Sequence, residues 1–106
     1  MKAVRVHKLA AKEIERLDPS VRVRIAELLD LIAHGESLGM PLSRPMPVIA
    51  TGVHELRVKD ASGQYRVFYY TKVKNLILVF HCFNKKTQAT PKKELELAKK
   101  RLKELL

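Results

Sequence analysis

The chain holds one cysteine, Cys82, among its 106 residues. A single thiol excludes an internal disulfide and any cysteine-cluster metal site, and it suits a reducing cytoplasm. Long apolar runs are missing too. The longest, Leu76 to Phe80, is too short to span a membrane. Met1-Lys2-Ala3-Val4-Arg5 opens without the apolar stretch of a signal peptide, so a cytoplasmic protein with no membrane partner is expected. There is no Gly-x-Ser-x-Gly elbow, no phosphate-cradling glycine loop and no His-Glu-x-x-His helix. The histidines, His7, His34, His54 and His81, are far apart, so neither a metal nor another cofactor is expected. Acidic residues are scarce: 11 Asp and Glu face 21 Lys and Arg, which leaves a net charge of +10 and a pI near 10.0. A surplus of that size is the electrostatic footprint of a nucleic-acid partner, the plainer reading being a basic protein with no such role.

What is present fits one α+β domain over residues 1–106. The apolar fraction, 46%, supports one modest core. The positive charge is uneven, and the last 23 residues, with eight Lys or Arg and three Glu, carry half of the excess. Ala3 to Val6 reads as a short strand. Lys8 to Leu17 has Ala10, Ile14 and Leu17 at helical spacing. Asp18-Pro19 stops that helix and starts another, with Asp18 as cap and Pro19 in the first turn. Val21, Ile25, Leu28, Leu29 and Ile32 form the apolar stripe of this second helix, and Gly35 is its left-handed terminator. The two helices are expected to form a tight hairpin. Glu36 to Gly52 reads as a loop, because Pro41, Pro45 and Pro47 forbid a regular helix or a central strand.

Val53 to Lys59 alternates, with His54, Leu56 and Val58 on one face and Val53, Glu55, Arg57 and Lys59 on the other. Asp60-Ala61-Ser62-Gly63 makes a turn. In Gln64 to Thr71, Tyr65, Val67 and Tyr69 oppose Arg66, Phe68 and Tyr70. Leu76 to Phe83 is apolar almost throughout, as a strand buried on both faces would be. Thr90 as N-cap and Pro91 at the first helical position open a terminal amphipathic helix with Leu95, Ala98, Leu102 and Leu105 inward, and with Lys92, Lys93, Lys99, Lys100, Arg101 and Lys103 coating much of the rest. The order is strand, two helices, three antiparallel strands, helix: helices packed on a small antiparallel sheet.

RNA cleavage needs no metal if fixed cations hold the charge that develops when a 2′-hydroxyl attacks the neighbouring phosphate. Arg suits that task, because its planar fork binds phosphate in two places and stays charged. Arg57 is either a solvated strand residue paired with Glu55 or Asp60, or a phosphate ligand. Arg66 lies in a strand otherwise nearly all apolar and aromatic, where a charge is costly without a partner or a role. A lone histidine on a sheet is commonly structural, but His81 is the best-placed proton carrier. Lys85 and Lys86 are either solvated surface or, just before a helix N-terminus, phosphate ligands. Of Tyr65, Tyr69 and Tyr70, at least one belongs to the core and another could stack on a base. Cys82 reads as packing.

Three stretches, Glu55-Leu56-Arg57, Tyr65-Arg66-Val67-Phe68-Tyr69 and His81-Cys82-Phe83-Asn84-Lys85-Lys86-Thr87-Gln88-Ala89-Thr90-Pro91-Lys92-Lys93-Glu94, resemble those of the RelE/HigB toxin superfamily, above all its phage-derived HigB-like branch. The likeness covers nearly the whole chain. It implies a βααβββα fold and the toxin of a type II toxin–antitoxin system. Such a toxin is a metal-independent endoribonuclease that cleaves mRNA in the ribosomal 30S A site and inhibits translation, and a helix-turn-helix antitoxin neutralises it. Carried over residue by residue, it implies catalytic roles for Arg57, Arg66, Lys85 and His81, and RNA contacts by Lys86, Tyr70, Lys92 and Lys93. His54 and Cys82 depart from the pattern, the first where an aromatic is usual and the second where a smaller residue is. A sister branch poisons DNA gyrase on the same scaffold, and a plain RNA-binding module is the third reading.

Overall fold

The computed structural model describes all 106 residues. The chain runs β1 (Ala3–Val6), α1 (Lys8–Glu15), α2 (Pro19–Ala33), β2 (Ser43–Pro45), β3 (Val53–Asp60), β4 (Gly63–Val73), β5 (Leu76–Asn84) and α3 (Lys92–Leu105). The strands form a single sheet in the order β1-β5-β4-β3-β2. β2, β3, β4 and β5 pair antiparallel, whereas β1 runs parallel to β5. The sheet is therefore mixed rather than purely antiparallel. Both helices and three strands intervene between β1 and β5, and a connection of that length is what a parallel pairing requires.

Period-two alternation on β3 and β4 splits the core into two layers. Leu56, Val58, Tyr65, Val67 and Tyr69 face α2 and pack against Val21, Ile25, Leu28, Leu29 and Ile32. Val53 and Phe68 face the other way, with Leu78 and Phe80 of β5, against Ala98 and Leu102 of α3. Each layer buries apolar area at roughly 25 cal/mol per Å², and β5 contributes to both, as its unbroken apolar run predicts. Gly35 ends α2 at φ 98°. Its N–H donates to the Ile32 carbonyl and that of Glu36 to the Leu31 carbonyl, each at 3.0 Å, which is a Schellman closure that only a residue at ease with positive φ permits.

Helix α1 lies over β5 and α2 over β3 and β1. Three local expectations are corrected. Three residues of the proline-rich loop form the edge strand β2, whose last residue, Pro45, sits where a missing N–H is tolerated. Pro91, not Thr90, is the N-cap of α3, and the Thr90 hydroxyl is buried without a partner. Arg101 is not part of the surface coat, being only 5% exposed.

Candidate functional site

The site starts from the β3–β4 hairpin. Asp60 closes the turn by accepting hydrogen bonds at Oδ1 from the Ser62 N–H (2.8 Å), the Ser62 hydroxyl (2.7 Å) and the Gly63 N–H (3.2 Å). The Ser62 bond is the main reason the Asp60 carboxyl titrates below its ordinary value. This turn sets a register in which Arg57 lies directly across from Arg66. Both therefore leave the sheet on the α3 side, together with Glu55, as the alternation predicts.

Arg66 is buried, 3% exposed, and Glu55 beside it is fully buried. Glu55 Oε1 stands 3.2 Å from Nε of Arg44, 3.5 Å from Nε of Arg66 and 3.9 Å from Nε of Arg57. One carboxylate thus faces three guanidinium groups and leaves a local surplus of two positive charges. Its second oxygen, Oε2, has no hydrogen-bond partner. Arg66 also donates to the Tyr65 carbonyl and to Oε1 of Gln64, both at 3.3 Å. These bonds explain how a cation is tolerated in an apolar strand, since a buried charge must be paired and hydrogen-bonded. Burial is the main influence lowering the Arg66 pKa, with Glu55 opposing it, and the group stays charged at any ordinary pH.

The end of β5 meets the same corner. The Lys85 N–H donates to the Gln64 carbonyl at 2.7 Å, and Oδ1 of Asn84 accepts from the Gln64 N–H at 3.3 Å. Gly63 packs closely on the Asn84 amide, since a Cβ there would stand 2.7 Å from the amide nitrogen and push that side chain aside. The result is a cavity of about 660 Å³ lined by Arg57, Arg66, Lys85 and Lys86 with Ser62, Gly63, Gln64, Asn84, Thr87 and Gln88. No apolar side chain and no acid lines it. Burial, then repulsion from Arg66, pulls the Lys85 ammonium below the ordinary lysine value. A concave, wholly polar site with four cations suits a polyanion, and the lowered lysine suits proton transfer.

Of the eight residues marked by sequence, the structure brings Arg57, Arg66, Lys85 and Lys86 together. It does not bring the other four to this cavity. His81 is 1% exposed and enclosed between the sheet and α3. Arg101 Nη1 lies 2.9 Å from its Nδ1, and Glu94 Oε1 lies 2.7 Å from its Nε2. An arginine can only donate, so Nδ1 accepts and the ring proton sits on Nε2, donated to Glu94. Burial is the main cause that pushes the His81 pKa down. Position near the strand end suggested a proton carrier, yet a β-bulge at Phe68/Tyr69 and the docking of α3 make it a neutral, enclosed crosslink. Tyr70 shares the face of Arg66 but lies four residues along β4, roughly 13 Å away, and packs against the α3 core. Lys92 and Lys93 are exposed on the first turn of α3 and outside the cavity wall.

Sequence reasoning missed the central place of Glu55, which it considered only as a possible partner of Arg57. The signal was there: an acid on the same strand face as one arginine, with Arg66 due on the neighbouring strand. It also missed Arg44, because the edge strand carrying it was read as loop. No three His, Cys, Asp or Glu side chains stand close enough to hold a metal ion, and no helix is long and apolar enough to cross a membrane.

The layered mixed sheet with its terminal helix is a RelE-like fold. The crystal structure of the isolated RelE toxin of E. coli superposes with a TM-score of 0.60, at 19% identity and over 100% of both chains. The sequence pattern of the phage-derived Gp49-like protein family matches residues 12–103, and the chain belongs to that family. Both findings agree with the superfamily expected from the sequence. None of the curated proteins compared with the chain matches it.

Proposed function

We propose that this protein is the toxin of a toxin–antitoxin pair and acts as a metal-independent endoribonuclease on mRNA. The observation that carries the reading is the cross-strand pair Arg57–Arg66, opening with Lys85 and Lys86 into one acid-free cavity. In this reading the scissile phosphate sits on the two guanidinium groups. The 2′-oxygen attacks phosphorus, and the doubly anionic intermediate is held by charges already in place, which is the largest part of such catalysis. The O5′–P bond then breaks, and the Lys85 ammonium gives its proton to the departing oxygen. The products are a 2′,3′-cyclic phosphate and a 5′-hydroxyl, and the 2′-hydroxyl proton leaves to solvent through the open mouth of the cavity. Glu55 takes no proton in this scheme. It fixes the guanidinium groups, and Lys86 adds charge for the flanking phosphate.

The likeness to RelE and the phage-derived family support a translation-directed substrate, mRNA in the ribosomal 30S A site, and a cytoplasmic helix-turn-helix antitoxin as neutralising partner. The test is expression in a bacterial host with mapping of mRNA ends. Wild type should produce new ends within translated regions and arrest growth, and Arg66→Ala should do neither while remaining folded. Growth arrest with intact mRNA and inhibited gyrase would replace this reading with the non-enzymatic one.

A further inference from the structure

A second hollow lies against the same arginines. It has a volume of about 560 Å³ and shares Arg57, Gln64 and Arg66 with the polar cavity, but Met40, Pro41, Leu42 and Val58 form its other wall, and Arg24 of α2 and Lys59 of β3 also line it. The wall is fixed in place: the Arg57 N–H donates to the Leu42 carbonyl at 2.8 Å. Met40 is 60% exposed, and its sulfur lies 3.2 Å from Nη1 of Arg57. One lobe beside the arginines is thus wholly polar and cationic, and the other has an apolar side.

We infer that the second lobe is a nucleobase subsite, an inference that rests on the RNA reading above. A phosphodiester seated on Arg57 and Arg66 has one nucleoside on each side, and a hollow lies on each side to receive it. An apolar wall offers nothing to an anion, whereas the flat face of a base packs well on a thioether and on aliphatic carbon. The base edge needs polar partners, and Gln64, Arg24 and Lys59 line the hollow. The Gln64 amide nitrogen has no protein partner, its oxygen being taken by Arg66, and Arg24 is exposed. The base therefore lies against Met40 and Pro41 with its edge toward Gln64 and Arg24, and the strand threads from this lobe over the arginines into the lysine lobe.

The test uses a short RNA made uncleavable by 2′-deoxy substitution at the scissile nucleotide. It is compared with two versions, each abasic on one side of the locked phosphate, by fluorescence titration at one fixed low salt concentration. Wild type should bind the intact RNA about tenfold more tightly than one of the abasic versions. Met40→Ala should remove most of that difference, weakening the intact RNA far more than that abasic RNA. Arg66→Ala should weaken all three RNAs alike. The subsite is overturned if neither abasic version binds more weakly than the intact RNA, or if Met40→Ala leaves the difference intact or weakens all RNAs equally. If Arg66→Ala leaves every affinity unchanged, the phosphate site itself falls, whatever Met40→Ala does.

Discussion

Glu55 shows what one buried acid does at the level of the single residue. Without it, Arg44, Arg57 and Arg66 would repel one another on neighbouring strands, and burying Arg66 would cost several kcal/mol. With it, the cluster keeps a surplus of positive charge in a fixed geometry. Lys85 is the residue whose chemistry is easiest to isolate. As a proton donor it works only while charged, and burial and Arg66 lower its pKa. The cleavage rate should therefore fall on the alkaline side earlier than an ordinary lysine would dictate. Lys85→Arg should keep RNA affinity, flatten that limb and slow cleavage by about 10²-fold or more, read from kcat across a pH series.

His81 gives a second residue-level prediction, with the opposite dependence on pH. Its folded pKa lies below the ordinary 6.5, chiefly because it is buried. Just below that value the unfolded chain binds a proton that the folded chain refuses, so the stabilising contribution is complete above 6.5 and declines as pH falls toward the folded pKa. The midpoint of urea unfolding should therefore drop between about pH 7 and pH 5. In His81→Gln, whose amide can donate to Glu94 and accept from Arg101, that drop should shrink. It should not vanish, because His54 is lowered as well, by burial and by Lys72, and contributes in the same direction.

Among the elements, α3 is the one held by the most specific contacts. Glu94 in its first turn bonds His81, Arg101 pairs with Glu13 of α1 at 2.7 Å, and Glu104 near its end bonds His7 at 2.8 Å. His7 also caps α1, its Nδ1 accepting from the Leu9 N–H. Glu94→Ala leaves a buried imidazole N–H unpaired and should cost about 1–3 kcal/mol in chemical denaturation, without removing the helix. The helices and the strands β3, β4 and β5 were legible because their periodicities are clear and because Pro19 and Gly35 punctuate them. β2 was not, since three residues carry no period. The α3 contacts were not legible either. Arg101 looks like its lysine neighbours in a linear sequence, and only folding sets it against Glu13, 88 positions away.

For the molecule as a whole, the charge of +10 acts at long range. The arginine pair was legible from strand alternation, and its convergence with Lys85 followed from the two adjacent hairpins. The separation of His81, Tyr70, Lys92 and Lys93 from the cavity was not legible, because it depends on a bulge and on how α3 docks. Lys92 and Lys93 nevertheless extend the positive surface. Replacing both with Ser should weaken RNA binding similarly for all sequences and reduce the slope of log affinity against log salt by about one to two units.

The most direct measurement compares newly generated mRNA 5′ ends in a bacterial host making either the wild type or Arg66→Lys. Lysine keeps the charge but cannot offer the planar fork that the buried position presents. Wild type should generate abundant ends with a 5′-hydroxyl, and Arg66→Lys should generate fewer by about 10²-fold or more at equal protein level. Equal cleavage by a folded Arg66→Lys protein would contradict the claim that this guanidinium pair holds the scissile phosphate.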